Sequence, residues 1–216
     1  MAFAVKRIVI VLLAMASTSV LFGLGNGLNP LWPLLWFAPL PVLLLALRSS
    51  WRTTLLTATL SFLAGCLNMW DYFRMLQTPI GVWFTVSSMA SLVFALAVLL
   101  FRALTRRGSP WTALLAFPAA WVSFEYLRNF ITPHGTAGSL AYSQLNFLPF
   151  LQLASVTGPW GITFVLLFFS AALALAIHLR KTAPKRALRI LAAVLGVVIL
   201  VLTLVRSGSR NLARFV

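Results

Sequence analysis

The chain reads as an all-α integral membrane protein, a bundle of about seven transmembrane helices, and three observations predict it. First, 61% of its 216 residues are hydrophobic and only 9% are charged, where a soluble domain carries about 25% charged residues. Too little polar surface remains to cover a water-facing globule, and mean hydropathy is +0.98. Second, the apolar runs approach the length of about 20 residues that a hydrocarbon core demands of a helix. Third, the polar/apolar alternation of a membrane β-barrel is absent.

The elements follow in order. The first span, about 8–24, comes after Lys6 and Arg7 and ends in a turn signal of Gly, Asn and Pro between Gly23 and Pro30. Ala14-Met15-Ala16 imitates a leader cleavage site. The apolar run before it, Ile8 to Leu13, is short and apolar sequence continues beyond, so an uncleaved helix is expected. Gly23 and Gly27 have the small-xxx-small spacing of helix contacts. The second span, about 31–47, is interrupted by Pro33, Pro39 and Pro41. Each proline removes a backbone donor, and such a helix survives in lipid only if neighbours satisfy the freed carbonyls. Further spans are expected at about 53–72, 80–104, 111–130, 160–179 and 188–205. They make one domain, 1–206, with a polar loop at 131–157 and a short basic tail at 207–216.

Charge sets the orientation. The net charge is +15, yet the basic residues sit in short groups between apolar runs and leave no contiguous face for nucleic acid. With the N-terminus in the cytoplasm, 12 of the 17 lie at inner ends, from Lys6 and Arg7 through Arg48, Arg52, Arg102, Arg106 and Arg107 to the 180–189 group. Arg74, Arg128, Arg206, Arg210 and Arg214 lie at outer ends. The positive-inside rule favours this arrangement. Loop 131–157 and the C-terminus of this multi-pass protein are then expected on the outer face, which in a bacterium is the periplasm or cell exterior.

Chemistry-bearing residues are few. The two acids, Asp71 and Glu125, each have an arginine three residues on, Arg74 and Arg128. That spacing shares a helix face, so each acid reads either as half of a local ion pair or as a functional group within a span. Glu125 is the deeper and faces the polar stretch. His134 lies in the turn Thr132-Pro-His134-Gly-Thr-Ala-Gly138; without a nucleophile and an orienting acid at hand, a histidine there reads as a loop polar group. Tyr142, Ser143, Gln144 and Asn146 suit a polar headgroup, or else satisfy loop backbone. Ser143 lacks a nucleophile-elbow context. Cys66, the single cysteine, sits in an apolar run and reads as packing. The tryptophans mostly fall near span ends, as an aromatic belt. Neither a cofactor nor a metal site is expected from so sparse a set.

Three runs carry a resemblance: Trp121 to Arg128 (WVSFEYLR), Leu140 to Gln144 (LAYSQ) and Leu151 to Phe164 (LQLASVTGPWGITF). With Trp36-Phe-Ala-Pro39 and Gly65 to Tyr72, the sequence resembles the N-terminal membrane domain of apolipoprotein N-acyltransferases over essentially the whole chain. The resemblance implies a bundle working at the outer face of the inner membrane. There the family moves an acyl chain from phospholipid to the N-terminal cysteine of a lipoprotein. It implies a Glu-Lys-Cys catalytic set in a nitrilase-like domain after the seventh span. The 216 residues hold no match to that domain, so no catalytic residue carries over, and a truncated or split family member is expected, inactive alone. Glu125, Arg128, Tyr142, Ser143 and Gln144 match positions near the lipid site, and His134 joins them as a binding candidate. The expected partners are phospholipid, lipoprotein acyl chains and a separate nitrilase-like protein. A stand-alone scaffold or lipid-binding protein is the alternative. A small transporter is disfavoured by the absence of internal repeats and of paired broken helices.

Overall fold

The computed structural model describes residues 2–132 and 134–212, all helix, turn or irregular chain with no strand among them. Met1, Pro133 and residues 213–216, which include Arg214 of the expected tail, lie outside the described residues.

Ten α-helices are present among the described residues. α1 spans Ala2–Gly25, α2 Trp32–Leu35, α3 Leu40–Arg48, α4 Trp51–Gly65 and α5 Trp70–Met75. α6 spans Ile80–Arg106, α7 Pro110–Ile131, α8 Leu148–Leu151, α9 Ala154–Leu179 and α10 Pro184–Leu212. Two 3-10 turns, Cys66–Met69 and Leu140–Gln144, complete the set. Among the described residues, three helical stretches are long and apolar enough to cross a membrane by length and composition: Val5–Gly25, Ile80–Arg106 and Ala154–Leu179.

Local chemistry explains the boundaries. Ser50 caps α4 by accepting from the Thr53 amide at 3.2 Å, and proline occupies the first turn of α7, where its missing donor costs nothing. The proline-rich run 31–47 forms two helices rather than one, with a turn at Trp36–Pro39 between α2 and α3. The expected span at 53–72 likewise breaks after Gly65 into a 3-10 turn and α5. α9 carries a kink at Gly158, whose φ of +65° and ψ of −171° suit glycine alone at low cost; Pro159 follows. Where a tail was expected from 207, α10 continues to Leu212.

The helices pack in sequence as α1, α4, α6, α7, α9 and α10, and α3 fills the centre, touching α1, α4, α6 and α9. Ala38, Val42, Leu43 and Ala46 of this central segment have no exposed surface. Beside it lies an aromatic cluster. The Phe62 and Phe94 rings stack at 4.9 Å, and the Phe22 ring meets their edges at 4.8 and 5.4 Å. Helix association in lipid depends on close packing and polar contacts, not on hydrophobic driving force. Gly65 shows the first. A Cβ there would come within 2.6 Å of the Phe22 Cβ, so only glycine admits α1 this close to α4. Asn68 shows the second, its amide donating to the carbonyls of Gly23 and Asn26 and so capping the end of α1. Gly23 does approach Gly65. Gly27 instead lies beyond the end of α1, against the Asn68 side chain, and makes no helix–helix contact.

Candidate functional site

Glu125 is the organising group. It sits in the second half of α7, 3% exposed, at a depth where a carboxyl needs partners. Four donors converge on it. Trp121 Nε1 donates to Oε1 at 3.0 Å from one turn back along α7, and the Leu140 amide donates to the same oxygen at 2.9 Å. Ser139 Oγ and Thr163 Oγ1 donate to Oε2 at 2.9 and 3.0 Å. One side chain thus ties α7 and α9 to the start of the 140–144 turn.

Arg128 is not among these partners. Its Nη2 donates to the Ala137 carbonyl at 2.7 Å, and its guanidinium lies 5.8 Å from the centre of the Phe124 ring. The sequence spacing that places Glu125 and Arg128 on one helix face therefore does not make an ion pair: the loop supplies the acid with neutral donors and the base with a carbonyl. The two residues instead hold adjacent points of the same loop, Arg128 at 137 and Glu125 at 139–140. Asp71 and Arg74, the other such pair, both stand exposed.

The remaining candidates separate into two groups. Ser143 and Gln144 have no exposed surface. Ser143 Oγ donates to the Leu140 carbonyl at 2.7 Å. Gln144 Oε1 accepts from Trp36 Nε1 at 3.0 Å, and its amide donates to the Trp32 carbonyl at 3.1 Å and to Ser143 Oγ at 2.8 Å. Their hydrogen-bonding groups are occupied by the fold, so neither faces a headgroup. Gln144 thus pins the proline-broken segment at two points, the Trp32 carbonyl and the Trp36 indole. Ring contacts reinforce the seam, with Trp32 stacked on Phe147 at 4.4 Å and Trp36 5.0 Å from Phe150.

His134 and Tyr142 face outward. Both are exposed, and both line a cavity of about 350 Å³ whose other walls include Asn26, Met69, Tyr72 and Ser139. Tyr142 Oη and Thr136 Oγ1 are 2.6 Å apart. The cavity sits where the end of α1, the Cys66–Met69 turn and the 134–145 loop meet. Its floor is the loop segment that Glu125 and Arg128 hold. Among the described residues, no three His, Cys, Asp or Glu side chains group as a metal site would. Cys66 is partly buried in its 3-10 turn.

Ser139, Thr163 and Trp121 were not among the candidates from sequence. Trp121 reads there as part of an aromatic belt but is buried, as is Trp83. The signal available for Trp121 was its position four residues before the acid. Nothing in sequence singles out Thr163, 38 positions away from Glu125.

The profile of the apolipoprotein N-acyltransferase N-terminal domain matches residues 18–172. The chain belongs to that family. It is 31% identical over 141 residues to an apolipoprotein N-acyltransferase of Geobacter metallireducens, covering 62% of this chain and 27% of that protein. It is 31% identical over 168 residues to one of Chlorobaculum tepidum, covering 69% of this chain and 29% of that protein. A 52-residue stretch is 44% identical to apolipoprotein N-acyltransferase 1 of Treponema denticola, covering 24% of this chain and 10% of that protein. The chain thus spans under a third of the length of these relatives. No solved structure matches it. The N-acyltransferase match and the long apolar helices agree on a helical membrane domain. Glu125 and the loop segment that it holds both lie within the matched range.

Proposed function

We propose that this chain is the lipid-binding membrane part of lipoprotein N-acylation, with its cavity at the periplasmic face of a bacterial inner membrane. In this reading about seven helical segments span the bilayer, the N-terminus is cytoplasmic and loop 131–157 lies outside. The supporting observation is the Glu125 hub: a buried carboxyl committed to ordering one loop, directly beside a cavity lined by His134 and Tyr142. Ordering a loop in advance lowers the entropy cost of binding. The charge asymmetry supports the orientation, since 12 of the 17 basic residues fall at the span ends that this reading places in the cytoplasm.

The ligand is a phospholipid or the acylated end of a lipoprotein. Its polar part meets His134, Tyr142 and the exposed loop backbone, and its chains lie along the apolar helix surface. Glu125, Arg128, Ser143 and Gln144 are positioning residues, acting through the loop and the proline-broken segment. Bond formation belongs to a nitrilase-like domain, as the family resemblance implies, supplied in the same polypeptide or by a partner. The test is binding of a fluorescent phospholipid and of a diacylated lipopeptide to the purified chain in nanodiscs. Saturable binding weakened by Tyr142→Ala and His134→Ala is expected. Binding that never saturates, or that ignores both substitutions, overturns the reading.

A further inference from the structure

We propose a second lipid site at the opposite, basic end of the bundle, specific for an anionic phospholipid of the leaflet at that end. It is independent of the reading above. A groove of about 440 Å³ runs between α1 and α3. Ile10, Val11 and Ala14 line it from α1, and Pro41, Leu44 and Leu45 from α3. Lys6, Arg7 and Arg48 complete the lining at its polar end.

Three features set this apart from a merely basic membrane surface. The cations converge from two helices on one cavity, where the positive-inside pattern alone asks only for charge near span ends. Two neighbouring guanidiniums are already committed: Arg102 donates to the Ser49 carbonyl at 3.3 and 3.0 Å, and Arg106 to the same oxygen at 3.4 Å. They fasten the α3–α4 corner and leave Lys6, Arg7 and Arg48 to face the groove. No acidic side chain competes, because the only two in the chain, Asp71 and Glu125, belong to α5 and the far part of α7. A phosphate takes the guanidinium fork and an acyl chain takes the apolar walls, so the occupant is an anionic phospholipid such as phosphatidylglycerol.

The experiment counts lipids retained by the full chain in native mass spectrometry, from nanodiscs mixing phosphatidylglycerol and phosphatidylcholine. The wild type is expected to retain phosphatidylglycerol selectively. Lys6→Gln with Arg48→Gln should reduce that selectivity at least about tenfold, through loss of the charge-assisted contacts to the lipid phosphate. Arg180→Gln with Lys181→Gln, at the same end but outside the groove, should leave it unchanged. Ala14→Trp fills the groove without altering charge and should also abolish selectivity, which decides the matter if the charge variant does not fold. Equal loss in the Arg180/Lys181 variant, no effect of Ala14→Trp, or no preference over phosphatidylcholine in the wild type overturns the proposal.

Discussion

Replacing Glu125 with alanine removes an acceptor shared by four donors, and the structure sets the expected cost. The hydroxyls of Ser139 and Thr163 lie 3.3 Å apart and can turn toward each other. The Trp121 indole N–H and the Leu140 amide N–H, which share Oε1 at 3.0 and 2.9 Å, cannot turn. A stranded buried donor costs about 1–3 kcal/mol, so the two together cost about 2–6 kcal/mol. Removing a buried carboxyl returns part of its desolvation penalty, which places the expected loss in the lower part of that range, about 2–4 kcal/mol. Glu125→Gln keeps one oxygen for both N–H groups and offers an amide to the two hydroxyls, so it should cost under about 1 kcal/mol. Reversible unfolding in mixed micelles measures the difference, and hydrogen exchange at the Leu140 amide localises it. Equal stability of the Ala and Gln variants, or native exchange at Leu140 in the Ala variant, would refute the hub.

Other perturbations test the surrounding frame. Gly65→Leu should separate α1 from α4, because its Cβ would meet the Phe22 Cβ at 2.6 Å; a cysteine crosslink between the two helices should then form more slowly, at a cost of about 1–3 kcal/mol in stability. Gln144→Leu strands the Trp36 indole N–H and the Trp32 carbonyl; about 1–3 kcal/mol of stability should be lost for each group left buried and unpaired, read as a lower melting temperature. Gly158→Ala forces a side chain into a φ of +65° and ψ of −171°, a region held essentially by glycine alone, and should cost about 1–3 kcal/mol, read as a lower melting temperature. Tyr142→Phe removes only the exposed contact with Thr136. It should shift stability by under about 0.5 kcal/mol while weakening lipopeptide binding.

The helical membrane class was legible from composition and the length of the apolar runs, since a bilayer core leaves a spanning segment few alternatives to a helix. The break in 31–47 was legible from three prolines. The sequence could place Glu125 and Arg128 on one helix face, because helical period is a local property. It could not say that neither would choose the other. That choice belongs to the tertiary structure, which brings Ser139, Leu140 and Thr163 to the acid and Ala137 to the base. The same holds for Gln144, a polar residue in a loop that reads as outward-facing, which turns inward to partner the proline-broken segment 108 and 112 positions earlier, with Ser143 bonded beside it. A buried polar group must be satisfied. Chemistry imposes that requirement on the residue, but which distant segment meets it depends on how the helices pack.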